Sequence, residues 1–430
     1  MKILEDHLMM NFRIENCLFA IISIVVILNT NIFAVDRPPA KKGEPITSPG
    51  FSAEFLPGLN HIGAIPEKQY VIAFSNGDLS NSWSFVFAKD IISLGQKYAD
   101  RFGMKLIWSN AHANSYRQLE NVQSLLAQNP DLLIISPNES KILTIIDQWC
   151  SKAEVSLICI DRGIDVKPGR QGSSYISLIQ MDNFKLGIAN GISVVKKLTE
   201  KYGEPRGNLI EIPGILGSSP AIQRSIGQRW VLKNFPKIRI VAMSPGDYER
   251  KKSYEAALNI LGKWPKGTID GMIGGCDESG LAFLKAAEQL GRTELFGYIW
   301  GADGSIQFLE KILEGKVEQS SEYSPFYAMI TLEYAVQYLN GNPIPPIIMM
   351  PSRDYKTNTP AQKDKLKELI KYCKHNDLEF VPMELGGLDI FKIDPAKIEK
   401  YYPIPFYKDS EVFKELKKIK PYAIEKPYMQ

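Results

Sequence analysis

From Tyr70 onward the chain alternates short apolar runs with stretches of helical spacing, and this alternation narrows the fold more than any other feature of its 430 residues. The runs Tyr70–Ser75, Lys105–Trp108, Leu132–Ser136, Val155–Ile160 and Ile176–Gln180 have the length and composition of buried strands. Between them, Phe87, Ile91, Leu94 and Tyr98, and then Leu119, Val122, Leu125 and Leu126, recur at the period of a helix. Strands joined by helical crossovers run parallel. A second round follows, with strands at Asn208–Ile212, Ile238–Ala242, Gly271–Gly274 and Phe296–Trp300 and helices at Ala221–Asn234, Lys251–Leu261, Leu281–Leu290 and Ile306–Leu313. The fold class is therefore α/β, with two doubly wound parallel-sheet domains.

The boundary between the rounds is short. Gln180-Met181-Asp182-Asn183 runs a strand straight into a helix that Asp182 or Asn183 caps, which makes a stiff hinge rather than a tether. Val317–Tyr323, a helix at Phe326–Leu339 and the apolar run Ile344–Met350 then cross back and forth, giving a three-strand hinge. On this reading residues 69–181 with 323–342 form the first domain and 182–322 with 343–376 the second. Beyond Asn376 Lys, Tyr and Pro dominate, so 377–430 reads as a C-terminal extension, either extended on the surface or without fixed structure.

At the other end, Leu18 to Leu28 is an apolar run too short to span a bilayer comfortably, followed by Ile32-Phe33-Ala34. Residues 1–34 read as a secretory signal peptide, with an uncleaved anchor as the alternative, and 35–68, rich in Pro, Gly and Lys, as a linker. Glu5, Asp6 and Glu15 are unusual in a leader, and a start at Met9 or Met10 would remove the first two. The expected location is the periplasm. A formal net charge of +3 gives no reason to expect a nucleic-acid partner. Four histidines, none beside another His or a Cys, leave little material for a metal site, and no cofactor is expected. Cys150, Cys159, Cys276 and Cys373 follow the leader, and their three possible pairings cannot be ranked.

Candidate chemistry gathers where strands end. Val155–Ile160 stops in Asp161-Arg162-Gly163. In an open α/β sheet the ligand lies beyond the carboxyl ends of the strands, so Asp161 supplies an acceptor and Arg162 a fork of donors there. That pairing suits a polyhydroxylated ligand, whose hydroxyls both donate and accept; a surface ion pair is the plain alternative. Trp83 closes the loop Asn76-Gly77-Asp78-Leu79-Ser80-Asn81-Ser82 and is either a platform for the C–H face of a sugar or a ring folded onto its own helix. The stretch Glu211 to Arg224 is a strand, a glycine loop and a helix start without the Gly-Lys-Ser/Thr of a P-loop or a G-x-G-x-x-G, and it aims Arg224 at the same crevice. Tyr248 after Gly246-Asp247, Asp277-Glu278 after Cys276, and Asp303 in Gly301-Ala302-Asp303-Gly304 also fall at strand ends.

These motifs together resemble the periplasmic sugar-binding proteins of bacterial ABC importers, in the type I branch that holds the ribose- and galactofuranose-binding proteins. The resemblance runs from about Gln69 to Asn376 and rests on Ser80-Asn81-Ser82-Trp83, Ile160-Asp161-Arg162-Gly163-Ile164-Asp165-Val166, Met181-Asp182-Asn183, Ala221-Ile222-Gln223-Arg224, Gly246-Asp247-Tyr248-Glu249-Arg250 and Gly301-Ala302-Asp303-Gly304. It implies the type I periplasmic binding protein fold, with ligand gripped between the domains. Carried over by motif, it implies ligand contacts from Asn81, Trp83, Ser136, Asp161 and Arg162 in the first domain and Arg224, Tyr248 and Asp303 in the second, with Glu322 at a hinge crossing. Cys276 stands where the family commonly has Asn, and Ser84 where the galactofuranose-like members have Arg, which leaves the sugar open.

The expected function is capture of a mono- or small oligosaccharide by a monomer that delivers it to a membrane ABC permease. One alternative is a sensor that presents a sugar or autoinducer to a chemoreceptor or histidine kinase. The lactose-repressor family shares the fold but needs a helix-turn-helix in place of this apolar, Pro-rich N-terminus. An enzyme of the glycoside hydrolase kind, with Asp161 and Asp303 as acid and base, is the rival from another class; against it, an Arg partner or cap role would hold each carboxylate's pKa down and spoil a general acid.

Overall fold

The computed structural model describes residues 69–382 except 98, 100–102, 164–167, 170 and 351. The proposed leader, the linker and the extension beyond 382 lie outside the described residues, as does the Ile164-Asp165-Val166 part of the strand-end motif.

The first lobe carries strands β1 (Tyr70–Asn76), β2 (Met104–Asn110), β3 (Leu132–Ser136), β4 (Ser156–Ile160) and β5 (Tyr175–Met181). Its helices are α1 (Ser82–Lys97), α2 (Ser115–Leu126) and α3 (Leu143–Lys152). The second carries β6 (Gly207–Ile212), β7 (Ile238–Met243), β8 (Gly271–Gly274), β9 (Ile299–Asp303) and β10 (Gln319–Glu322), with helices α4 (Asn183–Tyr202), α5 (Ser219–Leu232), α6 (Arg250–Lys263), α7 (Asp277–Gln289) and α8 (Ile306–Leu313). After these come α9 (Ala328–Leu339), β11 (Ile347–Met350), β12 (Asp354–Tyr355) and α10 (Pro360–His375).

Two six-stranded sheets result, ordered β11-β5-β4-β3-β1-β2 and β12-β10-β9-β8-β6-β7. Every pairing is parallel except that of β12 with β10. Strands such as β3, whose five residues are all buried, read as unbroken apolar runs because helices cover both faces. Each sheet accordingly has an apolar cluster on either side: Phe74, Phe87 and Ile134 oppose Ala73, Leu133 and Ile146 in the first lobe, and Ile210, Met272 and Phe283 oppose Leu209, Ile273 and Trp300 in the second. In both sheets the order reverses between neighbouring strands, β1 with β3 and β6 with β8, and the crevice at such a switch point is where α/β sheets bind ligands.

The chain changes lobe three times. Asp182 caps α4 by accepting from Lys185 N–H at 3.0 Å, directly after β5. The second crossing follows Glu322, and α9 then packs on α1 of the first lobe. The third lies between β11 and β12. The sequence reading put 343–376 wholly with the second domain, but β11 pairs with β5 of the first sheet, Ile347 opposite Leu178 through Met350 opposite Met181. Only β12 and α10 belong to the second lobe. A short apolar run fits either sheet, and it is the free edge of β5 that takes it. The strand expected at Phe296–Trp300 also moves, to Ile299–Asp303, because a 3-10 turn at Thr293–Leu295 and Gly297 at φ +76° occupy its start.

Helices α4 and α5 meet backbone to backbone. A Cβ on Gly187 would lie 2.1 Å from the carbonyl oxygen of Arg224, and one on Gly227 2.3 Å from that of Phe184. This close approach seats the start of α5 on the first crossing.

Candidate functional site

Between the lobes the carboxyl ends of both sheets face each other across a cavity of about 30 Å³ lined by Asn81, Trp83, Asp161, Arg162, Arg224, Tyr248, Cys276 and Asp303, together with Ser84, Pro220, Glu278 and Tyr323. Eight of the ten expected contacts thus converge on one place. Room for about two or three waters is small against a monosaccharide, so a sugar enters only if the lobes part.

In the first lobe the turn after β4 sets the chemistry. Arg162 N–H closes onto the Ile160 carbonyl at 2.7 Å, with Asp161 at φ +67° between them. A three-residue turn of this hand is strained for a non-glycine residue and persists because its surroundings hold it. Asp161 Oδ1 accepts from Tyr323 Oη at 2.5 Å, and Asp161 Oδ2 pairs with Arg162 Nε at 3.1 Å. Arg162 Nη1 donates to the carbonyls of Pro137, at 3.2 Å, and Asn138. The guanidinium also lies 5.7 Å from the centre of the Tyr248 ring across the cleft.

Trp83 takes the second of its two readings. It lies in the first turn of α1 rather than in a loop, is 9 % exposed, stacks on Phe87 of the same helix at 5.0 Å, and donates through Nε1 to the Tyr323 carbonyl at 2.5 Å. Only part of the ring borders the cavity. Asn81 caps that helix, its Oδ1 accepting from Ser84 N–H at 2.8 Å.

In the second lobe Arg224, buried on α5, donates through Nε to Asn183 Oδ1 at 2.8 Å and through Nη1 to the Gly275 carbonyl, and it stacks over the Tyr323 ring at 4.5 Å. Tyr248, at φ +64°, bonds Ser218 Oγ at 3.0 Å and packs against Gly214, where a Cβ would come within 1.9 Å of its ring. Cys276 caps α7, its Sγ accepting from Ser279 N–H at 3.4 Å; burial pushes the thiol's pKa up, so it stays neutral. Asp303 ends β9 at φ +135°, its carboxylate 3.9 Å from Arg224 Nη1.

Burial pushes the Asp303 pKa well above the usual carboxylate range, and Arg224 offsets this only in part. The expectation that an Arg partner keeps this group low is therefore corrected: at 3.9 Å, without a direct hydrogen bond, desolvation outweighs the cation. Asp277, against the same wall, accepts from Ser305 N–H at 2.8 Å and Ser320 Oγ at 2.7 Å, and burial raises it to about 7.

Two expected contacts stand apart. Ser136 ends β3 with its carbonyl accepting from Gln118 Nε2 at 2.9 Å, and it borders a smaller recess behind Arg162. Glu322 turns away to the hinge, where Arg353 Nε at 2.6 Å and Tyr355 Oη at 2.9 Å donate to its Oε2. Tyr323, absent from the expected set, is the residue that joins the two halves of the site. Its only signal in the sequence is its place just after the strand that changes lobe.

The lips of the cleft touch. Gly163 N–H donates to Ser219 Oγ at 3.0 Å, Ser219 N–H to Ser140 Oγ at 3.1 Å, and Ser82 Oγ to Glu278 Oε1 at 3.1 Å. Among the described residues Cys150, Cys159, Cys276 and Cys373 are free thiols, no helix is long and apolar enough to cross a membrane, and no cluster of three His, Cys, Asp or Glu could hold a metal ion.

Two doubly wound lobes, three crossings and a polar cavity closed between them define a hinged solute-binding fold. Residues 72–343, more than half the chain, match the family described as the periplasmic binding protein domain, and the chain belongs to that family. It is 26 % identical over 264 residues to the ribose import binding protein of Haemophilus influenzae, covering 61 % of this chain and 83 % of the relative. To the galactofuranose-binding protein of Escherichia coli K12 it is 25 % identical over 255 residues, 59 % of this chain and 78 % of the relative. Among solved structures, a galactofuranose binding protein aligns with TM-score 0.62 at 23 % identity, covering 71 % of this chain and 99 % of that one. A Mycobacterium smegmatis protein in complex with β-D-fucofuranose aligns with TM-score 0.63 at 22 % identity, covering 72 % and 98 %. The expected fold class and family resemblance are borne out.

Proposed function

We propose that this chain is an extracytoplasmic binding protein that captures a monosaccharide or small oligosaccharide in the cleft, closes over it, and delivers it to an ABC permease in the membrane. The observation that carries this reading is the arrangement of two charged pairs, Asp161 with Arg162 and Arg224 with Asp303, on opposite lobes of one cavity walled by Trp83, Tyr248 and Tyr323. Fixed donors and acceptors around aromatic faces match the alternating hydroxyls and C–H faces of a sugar. Only a ligand that touches both lobes favours the closed form, and closure then reports occupancy to the membrane partner. A micromolar dissociation constant corresponds to about 8 kcal/mol, within reach of several charge-assisted bonds and aromatic contact. The proposed contacts are Asn81, Trp83, Asp161, Arg162, Arg224, Tyr248, Cys276, Asp303 and Tyr323. Catalysis is not part of the reading: the Asp161 carboxylate, proposed as a partner of Asp303 in a hydrolase, is engaged by Tyr323 and Arg162. The names of the matched relatives, binding proteins for ribose, galactofuranose and related sugars, support it, as does their periplasmic family for the location.

The test is a thermal-shift screen against D-ribose, D-galactose, L-arabinose, D-fructose, D-allose and myo-inositol, with amines and nucleosides as controls. A concentration-dependent rise in melting temperature with one sugar or polyol is expected. A shift with an amine or nucleoside and none with any sugar would keep the fold and overturn the ligand class.

A further inference from the structure

The segment after α10, which the sequence left without a role, runs along the hinge. Leu378 N–H returns to the Cys373 carbonyl at 2.9 Å and turns the chain back toward the cleft. Phe380 then bridges Ser305 in antiparallel fashion, with Ile306 N–H donating to the Glu379 carbonyl at 2.9 Å and Val381 N–H to the Gly304 carbonyl at 3.0 Å. The side chains divide between the lobes. Phe380 is buried in the first lobe's apolar cluster with Trp83 and Tyr323, Val381 in the second's with Phe308, and Leu378 packs against both. Ser324 Oγ, at the second crossing, donates to the Val381 carbonyl at 2.9 Å, and Arg353 Nη2, at the third, to the Pro382 carbonyl at 3.1 Å.

The segment grips the turn that carries Asp303. That residue, at φ +135°, is in a backbone conformation that persists only where its surroundings over-determine it. From the second lobe and the crossing come Gly304 N–H to Ser320 Oγ at 3.1 Å, Ser305 N–H to Asp277 Oδ2 at 2.8 Å and Tyr323 N–H to the Asp303 carbonyl at 3.2 Å. The bonds to Glu379 and Val381 complete the set. Gly304 sits at φ +75° with Val381 pressed against it, so that a Cβ there would lie 2.6 Å from a Val381 methyl carbon.

We propose that Leu378–Pro382 is a hinge strap that positions Asp303 for ligand binding. None of its residues lines the cavity. It fixes the turn that presents the Asp303 carboxyl, and by burying Phe380 in one lobe and Val381 in the other it ties that turn to the hinge angle.

The test begins without ligand. In hydrogen exchange on the full chain, Val381→Ala raises exchange at Ser305 and Ile306 at least fivefold while β6 and β8 stay protected. Val317→Ala, a buried truncation elsewhere in the second lobe, does not. With whichever sugar of the screen binds the wild type, Val381→Ala weakens binding at least tenfold, and the loss vanishes in an Asp303→Asn background, since coupled residues are non-additive. Unchanged exchange at 305–306, or the same affinity loss with Asp or Asn at 303, overturns the strap. If Val381→Ala does not fold, Ser324→Ala, which removes one hydrogen bond to the strap, carries both measurements with the same criteria. If no sugar binds the wild type, the exchange result still decides the strap while the sugar reading alone falls.

Discussion

The phenolic hydroxyl of Tyr323 donates to Asp161 Oδ1 across 2.5 Å. Tyr323 follows β10 of the second sheet at a crossing, and Asp161 follows β4 of the first, so a hinge residue fixes a cavity carboxylate.

Tyr323→Phe removes this bond and leaves the ring, its contact with Trp83 and the stack under Arg224. A lost bond to a buried charged acceptor is worth about 1.5–3 kcal/mol. Titration calorimetry with the sugar found by thermal shift is expected to show roughly a tenfold loss or more. Unchanged affinity would mean that Asp161 finds its donor elsewhere.

Arg162→Ala uncovers the carbonyls of Pro137 and Asn138 and the Asp161 carboxylate at one stroke. Each buried acceptor left unpaired costs about 1–3 kcal/mol. Sugar affinity is expected to fall at least tenfold, accompanied by a lower melting temperature. A variant that melts lower yet binds as before would put the ligand outside this cavity.

Stability is expected to fall as pH rises from about 4 to 7. Burial lifts Asp277 to about 7 and Asp303 above its ordinary range, and half-buried Asp90 on α1, whose Oδ2 is shielded from solvent, is lifted to about 7 as well. Between the ordinary aspartate value, about 4, and these raised values, the folded chain holds protons that the unfolded chain has released. Unfolding free energy therefore declines with pH across that window and levels off above it. Urea midpoints at pH 5.5 and 7.5 measure the slope. Asp303→Asn, which cannot titrate, should flatten it; an equal slope in the variant would assign the effect to Asp90 and other groups.

Gly187→Ala places a methyl group 2.1 Å from the Arg224 carbonyl oxygen, backbone that cannot swing aside. Overpacking of this kind costs about 1–3 kcal/mol or more. A reduced urea midpoint is expected, with weakened binding as well, because α5 carries Arg224 on the face that is pushed away. A wild-type midpoint would show that α4 and α5 can slide apart freely.

Much of the fold was legible because strands buried on both faces carry a strong local signal. Leu132–Ser136 and Gly271–Gly274 stand where the apolar runs put them, and Ile306–Leu313 is a helix with the bounds its spacing predicts. The strand-end rule brought Asp161, Arg162, Arg224, Tyr248 and Asp303 to one crevice from positions up to 142 residues apart in the chain. Glu322 stands at the hinge crossing, as expected, but its carboxylate misses the cavity by one residue. The side chain of a strand's last position points to one face and that of the next residue to the other, so Glu322 met Arg353 while Tyr323 entered the site. Trp83 was legible as a bulky residue beside the cleft, but whether it faced ligand or core depended on Phe87, Tyr323 and Tyr327 closing around it.

The amino-acid order by itself determined the two rounds of strand and helix, the class of fold and the chemical character of the crevice, since periodicity and strand-end residues are local properties. Tertiary structure alone decided that Ile347–Met350 completes the first sheet, that Asp303 is lifted by burial despite Arg224, and that Leu378–Pro382 buckles the hinge. Those depend on which edge is free, how much water is excluded and which lobes approach, and such quantities exist only once distant segments have met.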